Sequence, residues 1–253
     1  MSKTAIVTGA SRGIGRAIAI NLSEKEDVSN IILFARTEEG LIETVRLMDQ
    51  SKNIEYYAMD LTDYKKVAEI IDSIGSRYGT IDYLLNVAGY ADPKPLLETS
   101  IEDWETTYKI NVHSIFFITK EVVKFMKRTG GKILNVASTA GSTARPGWLA
   151  YASSKAAIIS MSKTLSEELS EYGILVYCIS PGRCATELRK ILAPDEDPTT
   201  IMQPEHVGEV VGHLLSDSGI CLDGQDIIVR KQVLPTTVTK KEKKSPVSTP
   251  ASK

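Results

Sequence analysis

The sequence has few cysteines and few large aromatic residues, and both shortages exclude classes of protein. It contains three cysteines, Cys178, Cys184 and Cys221, in 253 residues. An odd number of cysteines without metal-ligand spacing argues against a disulfide framework and against a metal site. We therefore expect no bound metal, and we expect the cysteines to be free thiols in a reducing compartment. The chain has only four phenylalanines and two tryptophans. No aromatic cluster indicates a pocket for a flat hydrophobic ligand.

Long hydrophobic runs and a strong net charge are also absent. No apolar run reaches the roughly 18 residues that a membrane span needs. The first strand-like segment begins too early to leave room for a signal peptide. The net charge of −2 gives no reason to expect nucleic acid or an anionic membrane as a partner. We therefore expect a cytoplasmic protein that binds neither.

Short apolar runs alternate with longer helical patterns along most of the chain. The predicted strands cover residues 4–7, 30–35, 54–59, 81–85, 132–137, 174–179 and 224–230, and the predicted helices cover residues 16–22, 39–50, 64–77, 101–126, 151–171 and 204–215. This alternation and the length predict one α/β domain, which we place at residues 1–234. Residues 235–253 are polar and rich in Lys, Ser and Pro, which predicts a disordered basic tail.

A glycine-rich turn follows the first predicted strand. Its sequence is Thr-Gly-Ala-Ser-Arg-Gly-Ile-Gly, with the glycines at Gly9, Gly13 and Gly15. A turn of this kind between a strand and a helix lets backbone N–H groups and the helix N-terminus approach a phosphate. The first interval is one residue wider than in the usual dinucleotide fingerprint.

A second segment, residues 138–155, combines three residues that carry chemistry. Tyr151 and Lys155 lie four positions apart on a predicted helix and share one face. A neighbouring ammonium favours the phenolate and thereby lowers the pKa of a phenol from about 10. Ser138 ends a predicted strand and can hydrogen-bond the same substrate oxygen, so the three predict a site that protonates a carbonyl as it is reduced. Tyr and Lys at this spacing also occur on ordinary surface helices.

Together with Asn86-Val87-Ala88-Gly89, Asn111 and Pro181-Gly182, these motifs resemble the classical short-chain dehydrogenases/reductases from about residue 3 to about residue 231. The resemblance implies a single Rossmann-type, doubly wound parallel β-sheet flanked by helices on both faces. It implies the catalytic residues Asn111, Ser138, Tyr151 and Lys155. It also implies cofactor contacts from Gly9, Ser11, Arg12, Gly13, Ile14, Gly15, Arg36, Asp60, Leu61, Asn86, Ala88, Gly89, Tyr151, Lys155, Pro181, Gly182 and Thr186.

The chain departs from the family pattern at two places, and some residues keep a second interpretation. Val87 stands where the family usually has an asparagine, and no Asp-Gly-Gly follows the last strand. In the family, Asn111 interrupts its helix and holds a water that relays protons to the lysine; a satisfied core amide is the alternative. Asp60 lies along the adenine ring in the family, but it is also placed to cap the helix from Tyr64.

The cofactor is predicted from the end of the second strand. An acid there holds the ribose 2′-hydroxyl of NAD, whereas an arginine suits the 2′-phosphate of NADP. This chain has Arg36 at that position, and Arg12 in the glycine-rich turn can reach the same phosphate. The two arginines predict NADPH/NADP and therefore reduction, although either residue alone is also compatible with a solvated loop. Arg145, Arg183 and Arg189 hint at an anionic substrate.

These patterns predict an NADPH-dependent carbonyl reductase in which Tyr151 is the general acid for a ketone or aldehyde substrate. The alternative is a catalytically idle sensor or scaffold that binds NADP(H). Within the enzyme class, the family suggests a 3-oxoacyl thioester reductase or a reductase of sugars and ketose phosphates. Apolar residues on more than one face of the helices at 101–126 and 151–171 predict a homodimer or tetramer.

Overall fold

The computed structural model describes residues 2–231, so the predicted basic tail lies outside the described residues. Seven strands form one parallel sheet in the order β3-β2-β1-β4-β5-β6-β7. The strands are β1 Lys3–Thr8, β2 Val28–Ala35, β3 Asn53–Ala58, β4 Tyr83–Asn86, β5 Gly131–Val136, β6 Ile174–Pro181 and β7 Asp226–Val229. The helices are α1 Gly13–Ser23, α2 Glu38–Leu47, α3 Tyr64–Tyr78, α4 Ile101–Tyr108, α5 Ser114–Met126, α6 Leu149–Leu169, α7 Glu187–Leu192 and α8 Pro204–Leu214.

Hydrophobic clusters cover both faces of the sheet. On one face, α1 packs against α8, and Ile18 and Val211 are buried between helix and sheet. On the other face, α3 packs against α5, and Ile71 and Val122 are fully buried. A parallel sheet covered on both sides has strands made of continuous apolar runs rather than alternating ones, and this is the pattern of the sequence. The predicted doubly wound α/β fold is confirmed.

The strand order reverses between β1 and β4, and this reversal places the site. From β1 the chain moves outward to β2 and β3, then returns to the other side of β1 to form β4 through β7. When the chain continues from two neighbouring strands in opposite directions, a crevice forms at the carboxyl ends of those strands. The glycine-rich turn follows β1, and residues 87–89 follow β4, so both border this crevice.

The helices differ from the predicted ranges in several places. The predicted helix at 101–126 is interrupted by a π-helical turn at Lys109–His113, which separates α4 from α5. The helix α6 begins at Leu149, two residues before the predicted start. A short helix, α7, follows Thr186, where no helix was predicted. The Thr186 hydroxyl caps it by accepting a hydrogen bond from the Arg189 N–H at 3.1 Å.

The alternative interpretation of Asp60 as a helix cap is wrong, because Asp63 caps α3. The Asp63 carboxylate accepts a hydrogen bond from the Lys66 N–H at 3.2 Å. The Asp60 carboxylate instead accepts one from the Thr62 N–H at 2.8 Å, which closes the turn after β3. Asp60 therefore remains beside the crevice rather than at the helix terminus.

Among residues 2–231, none of the helices is both long enough and apolar enough to cross a membrane.

Candidate active site

A cleft of about 500 Å³ opens at the carboxyl ends of the strands. The sequence-predicted site residues that line it are Gly9, Ser11, Arg12, Gly13, Ile14, Gly15, Arg36, Asp60, Leu61, Ala88, Gly89, Ser138, Tyr151, Lys155, Pro181, Gly182 and Thr186. Two predicted residues, Asn86 and Asn111, do not line it. The fold thus gathers residues from seven chain segments around one concave surface, of the size that small ligands and cofactors occupy.

The glycine-rich turn lies against the backbone of the segment after β4. Gly9 and Gly13 have φ values of +67° and +55°, a region that other residues rarely adopt. A Cβ on Gly9 would lie 2.8 Å from the Cα of Ala88, and one on Gly15 would lie 2.2 Å from the carbonyl oxygen of Gly9. Only glycine permits these contacts, so the turn keeps a bare backbone surface at the N-terminus of α1, where a phosphate can approach.

Thr8, which the sequence analysis did not single out, connects the end of β1 to the segment that follows β4. Its buried hydroxyl accepts hydrogen bonds from the N–H groups of Val87 at 2.9 Å and Ala88 at 3.1 Å. These bonds hold the segment after β4 in place without the asparagine that the family usually carries at position 87. The available signal was a hydroxyl at the end of an otherwise apolar strand, since a buried hydroxyl needs a partner.

Tyr151 lies in the wall of the cleft, on the first turn of α6, with Trp148 packed edge-on against its ring at a centroid distance of 5.6 Å. Protein atoms surround it on most sides, although part of its surface opens into the cleft. Burial raises the pKa of the Tyr151 phenol, while the Ser138 hydroxyl and the charge of Arg145 act in the opposite direction. The sequence-based expectation of a lowered pKa for Tyr151 is therefore not met.

Lys155 is almost completely buried, with 3% of its surface exposed. Its ammonium donates a hydrogen bond to the carbonyl oxygen of Val136 at 2.8 Å and lies 5.7 Å from the centroid of the Tyr151 ring. Burial lowers the pKa of Lys155 to about 8, because a desolvated ammonium is disfavoured. Lys155 can therefore exchange a proton near neutral pH.

Asn111 lies in the π-helical turn, as the predicted interruption of its helix requires. Its amide accepts a hydrogen bond from the Tyr90 N–H at 2.8 Å and donates to the Tyr90 carbonyl and the Ser154 hydroxyl, both at 2.9 Å. All of these groups are used to hold the cleft-lining Tyr90 segment against α6. The side chain is thus the satisfied core amide of the alternative interpretation, and its role in holding a water stays a prediction.

The side chain of Asn86 points away from the cleft, contrary to its prediction as a cofactor contact. It is buried and donates to the Asn135 side chain at 2.8 Å and to the Thr119 hydroxyl at 3.2 Å. Asn135 in turn donates to the Ser162 hydroxyl at 3.0 Å. Because alternate residues of a strand face opposite sides, Asn86 at the end of β4 joins a polar network between sheet and helices.

Two arginines lie where the sequence predicts a 2′-phosphate site. Arg12 immediately precedes α1 and Arg36 follows β2, and both line the cleft. Neither forms an ion pair with a carboxylate in the described part of the chain. Asp60 and Leu61, after β3, border the same end of the cleft. The structure therefore brings two unpaired guanidinium groups to this end, and their ligand stays a prediction.

The arginines proposed to face the substrate do not form one cationic surface. Arg189 makes a bidentate ion pair with Glu196 at 2.6 and 2.9 Å, and Arg183 reaches the same carboxylate at 3.0 Å. These pairs tie α7 to the chain that follows it and engage both arginines with a single carboxylate. Of the three, only Arg145 has no carboxylate partner among residues 2–231.

Sequence reasoning also missed several lining residues. They come from strand ends and from the turns around α5 and β5: Ala35, Thr37, Met59, Thr62, Ile110, Ser114, Val136, Thr139 and Ala140. Their common signal was position, since each follows a strand or adjoins a predicted site residue. Their side chains carry no chemistry that would single them out in a sequence.

Comparison with known proteins agrees with this geometry. A family model described as short chain dehydrogenase matches residues 3–197. The 3-oxoacyl-acyl-carrier-protein reductase FabG of Thermotoga maritima is 30% identical over 235 residues, covering 89% of this chain and 95% of that protein. The enzyme of the same name from Escherichia coli is 29% identical over 236 residues, covering 90% and 95%.

Solved structures show the same fold. A variant of the actinorhodin polyketide ketoreductase, crystallised with NADPH, has a TM-score of 0.83 at 27% identity and covers 90% of this chain and 95% of its own. The structure of ElxO with NADP bound has a TM-score of 0.81 at 25% identity and covers 90% and 97%. The chain therefore belongs to the short-chain dehydrogenase family and is an oxidoreductase that acts on CH–OH and C=O groups.

Proposed function

We propose that the protein is an NADPH-dependent carbonyl reductase in which Tyr151 protonates the carbonyl oxygen of a ketone or aldehyde. The observation that carries this proposal is the convergence of Ser138, Tyr151 and Lys155 on one wall of the cleft whose other end is the glycine-rich turn. A single dinucleotide-binding domain at residues 1–234 would provide the whole site.

The residues of the cleft fit a dinucleotide. The bare backbone of the glycine-rich turn leaves room for a pyrophosphate, because a Cβ at Gly9 or Gly15 would collide with backbone. Arg12 and Arg36 suit a 2′-phosphate through charge-assisted hydrogen bonds. Thr186, Pro181 and Gly182 also line the cleft, with the Thr186 side chain beside Gly13, and would hold the nicotinamide end. NADPH, when bound, supplies the hydride. The bound NADPH and NADP in the two similar structures support this choice.

Because burial raises its pKa, the Tyr151 phenol is protonated at neutral pH and holds the proton to be donated. The same rise makes it a weaker acid, so the proposed transfer depends on the Ser138 hydroxyl and the charge of Arg145, which act to lower that pKa. Ser138 lies beside the phenol and would hydrogen-bond the same oxygen. Lys155, with a pKa near 8, would return a proton toward Tyr151 and hold the cofactor ribose. The Asn111 amide positions Tyr90 and α6 around these groups.

Within this activity, a 3-oxoacyl thioester is one candidate substrate class, because two FabG proteins match nearly the whole chain. Sugars and ketose phosphates form the second class. The idle sensor or scaffold remains the alternative function, and the presence of Asn111, Ser138, Tyr151 and Lys155 together argues against it.

A carbonyl panel monitored by loss of NADPH tests the proposal. The panel contains acetoacetyl thioesters, phosphorylated ketoses, simple ketones and aldehydes, and each rate is compared with that of Tyr151→Phe. We expect at least one substrate to be reduced by the wild type far faster than by the variant. If the protein binds NADPH tightly but the panel gives no turnover above that of Tyr151→Phe, the sensor interpretation replaces catalysis.

We also propose that the protein forms a dimer or tetramer. Large apolar side chains on the outer faces of α4 and α5 are exposed, among them Ile101, Trp104 and Phe116. Exposed large apolar side chains are common at protein interfaces. The outer face of α6 adds less than the sequence indicates, since Leu149 is its one exposed large hydrophobic residue within the described chain.

A further inference from the structure

Arg145 is the one cleft-lining arginine outside the proposed cofactor end that forms no ion pair with a carboxylate within residues 2–231. Its side chain is half-buried and lines the cleft on the loop that leads into α6. The guanidinium carries five hydrogen-bond donors and always remains charged. A guanidinium that is partly removed from water has a strong preference for an anionic partner.

The backbone around Arg145 fixes its position relative to Tyr151. The Arg145 carbonyl oxygen accepts a hydrogen bond from the Trp148 N–H at 3.1 Å, and Gly147 turns the chain with a φ of +79°. Helix α6 starts directly after this turn, with Trp148 stacked edge-on against Tyr151. The charge of Arg145 reaches the Tyr151 phenol and opposes the rise of its pKa. Arg145 therefore lies near the proposed reactive oxygen, not at the cofactor end.

No acid on the cleft wall competes for this charge. The acidic side chains that line the cleft are Asp60 and Glu187, and neither forms an ion pair with Arg145. Asp60 borders the opposite end of the cleft with Leu61, and Glu187 is an exposed residue of the first turn of α7. Arg183 and Arg189 already share Glu196.

We infer that Arg145 is a specificity-determining residue that binds an anionic group, carboxylate or phosphate, on the same substrate whose carbonyl faces Tyr151. This inference rests on the proposed reductase function and narrows its substrate class to carbonyl compounds with a nearby negative charge. A planar guanidinium matches either anion with paired hydrogen bonds, and binding the anion orients the carbonyl toward the phenol.

Matched ligand pairs distinguish charge from shape. Each pair contains an anion and its uncharged counterpart: pyruvate, acetoacetate and levulinate with their methyl esters, and dihydroxyacetone phosphate with dihydroxyacetone. Binding is measured from Trp148 emission in a Trp104→Phe background, because the chain has two tryptophans and Trp148 contacts Tyr151. The titrations are made with and without NADP⁺. The first three pairs differ in the distance from carbonyl to carboxylate, and the fourth separates phosphate from carboxylate.

For at least one pair, we expect the wild type to bind the anion about ten- to a hundredfold more tightly than its neutral counterpart, the scale of a charge-assisted hydrogen bond. Arg145→Gln should bring that ratio close to one, and Arg145→Lys should restore part of it. Arg128→Gln is the matched control, because Arg128 is exposed and precedes β5 at the opposite end of the sheet. It should leave the ratio unchanged.

Two results would overturn the inference: a wild type that prefers no anion in any pair, or a preference that survives Arg145→Gln. Reduction of neutral ketones with NADPH tests the proposed function separately. Anion-selective binding without NADPH loss would refute the reductase and leave the anion site standing. Turnover of neutral ketones without anion-selective binding would refute the anion site at Arg145 and leave the reductase function standing.

Discussion

The ammonium of Lys155 donates a hydrogen bond to the carbonyl oxygen of Val136 at 2.8 Å. This contact joins α6 to the last residue of β5. Ser138 follows Val136 by two residues, and Tyr151 precedes Lys155 by one helical turn. One buried hydrogen bond therefore connects the strand that carries the hydroxyl to the helix that carries the phenol. The spacing of the proposed catalytic groups depends on the sheet as much as on the helix.

Tyr151→Phe should lower turnover by about 10²-fold or more, the usual scale for loss of a general acid. The ring and its contact with Trp148 remain, so the fold and NADPH binding should be retained. Steady-state rates, with circular dichroism and a cofactor titration as controls, measure this effect. An unchanged rate with a substrate of the wild type would remove Tyr151 from the proton transfer.

Lys155 should make the stability of the ligand-free protein depend on pH. Burial lowers the pKa of Lys155 from 10.5 to about 8, so the unfolded chain binds more protons between these values and stability rises with pH there. At about 1.4 kcal/mol per pKa unit, the free energy of unfolding should rise by roughly 3 kcal/mol through that window. This contribution is fully present above the unfolded pKa and is lost as the pH falls through about 8.

Urea unfolding of wild type and Lys155→Met at a series of pH values isolates this contribution. Methionine keeps much of the apolar volume without the titrating group, and the other titrating residues cancel in the difference. The difference between the two free energies should be flat below about pH 7 and change steadily above it. Parallel curves over the whole range would show that Lys155 is solvated rather than buried.

Much of the fold was predictable, because short sequence patterns in this chain indicate which segments are buried strands and where the crevice lies. Continuous apolar runs such as Ile31–Phe34 are typical of strands buried on both faces, and the glycine-rich turn marks the crevice. The helix cap was also predictable, because the predicted start at Tyr64 makes Asp63 the residue directly before α3, and Asp60 lies three residues too early.

The directions of individual side chains and the ion pairs they form could not be predicted from the sequence. Asn86 ends a strand, and one residue of register decides whether its amide faces the cleft or Asn135. The pairing of Arg183 and Arg189 with Glu196 depends on how the chain folds after α7. The pKa of Tyr151 likewise depends on burial, which spacing along a helix does not reveal.

Gly9→Ala should abolish dinucleotide binding and destabilise the protein more than Gly79→Ala does. Both glycines have positive φ, +67° and +78°, so an alanine at either position carries backbone strain of about 1–3 kcal/mol. A Cβ at Gly79 meets nothing within 4 Å, whereas one at Gly9 meets the Ala88 backbone at 2.8 Å. The clash adds about 1–3 kcal/mol. Thermal unfolding and calorimetric titration with NADP⁺ measure the two effects, and equal losses in both variants would contradict the close approach.

Phe116→Glu should dissociate the proposed oligomer. Phe116 is 50% exposed on α5, and Trp104 is exposed on α4. A charge within an apolar interface is strongly unfavourable. Leu47→Glu is the matched control, because Leu47 is similarly exposed at the end of α2, away from these helices. Sedimentation velocity at micromolar concentration should show a dimer or tetramer for wild type and control and a smaller species for Phe116→Glu. A monomeric wild type would refute the assembly.

The preference for NADPH over NADH should depend on Arg36 and Arg12. The residue directly after β2 is Arg36 rather than an acid that could bind a free 2′-hydroxyl, and both guanidinium groups line the cleft. A charge-assisted hydrogen bond contributes roughly 1.5–3 kcal/mol, and each 1.4 kcal/mol is about tenfold in affinity. Two imperfectly additive contacts should favour NADPH by about a hundredfold.

Arg36→Asp should reverse much of this preference, because a carboxylate repels the 2′-phosphate and accepts hydrogen bonds from the 2′-hydroxyl. Arg12→Gln should weaken NADPH binding without improving NADH binding. Arg46→Asp is the matched control, since Arg46 is exposed on α2 and does not line the cleft. Dissociation constants for both cofactors, measured by calorimetry, and kcat/KM with a working substrate give the ratio independently. A wild type that prefers NADH, or a ratio that Arg36→Asp leaves unchanged, would mean that Arg36 extends into solvent and does not bind the cofactor.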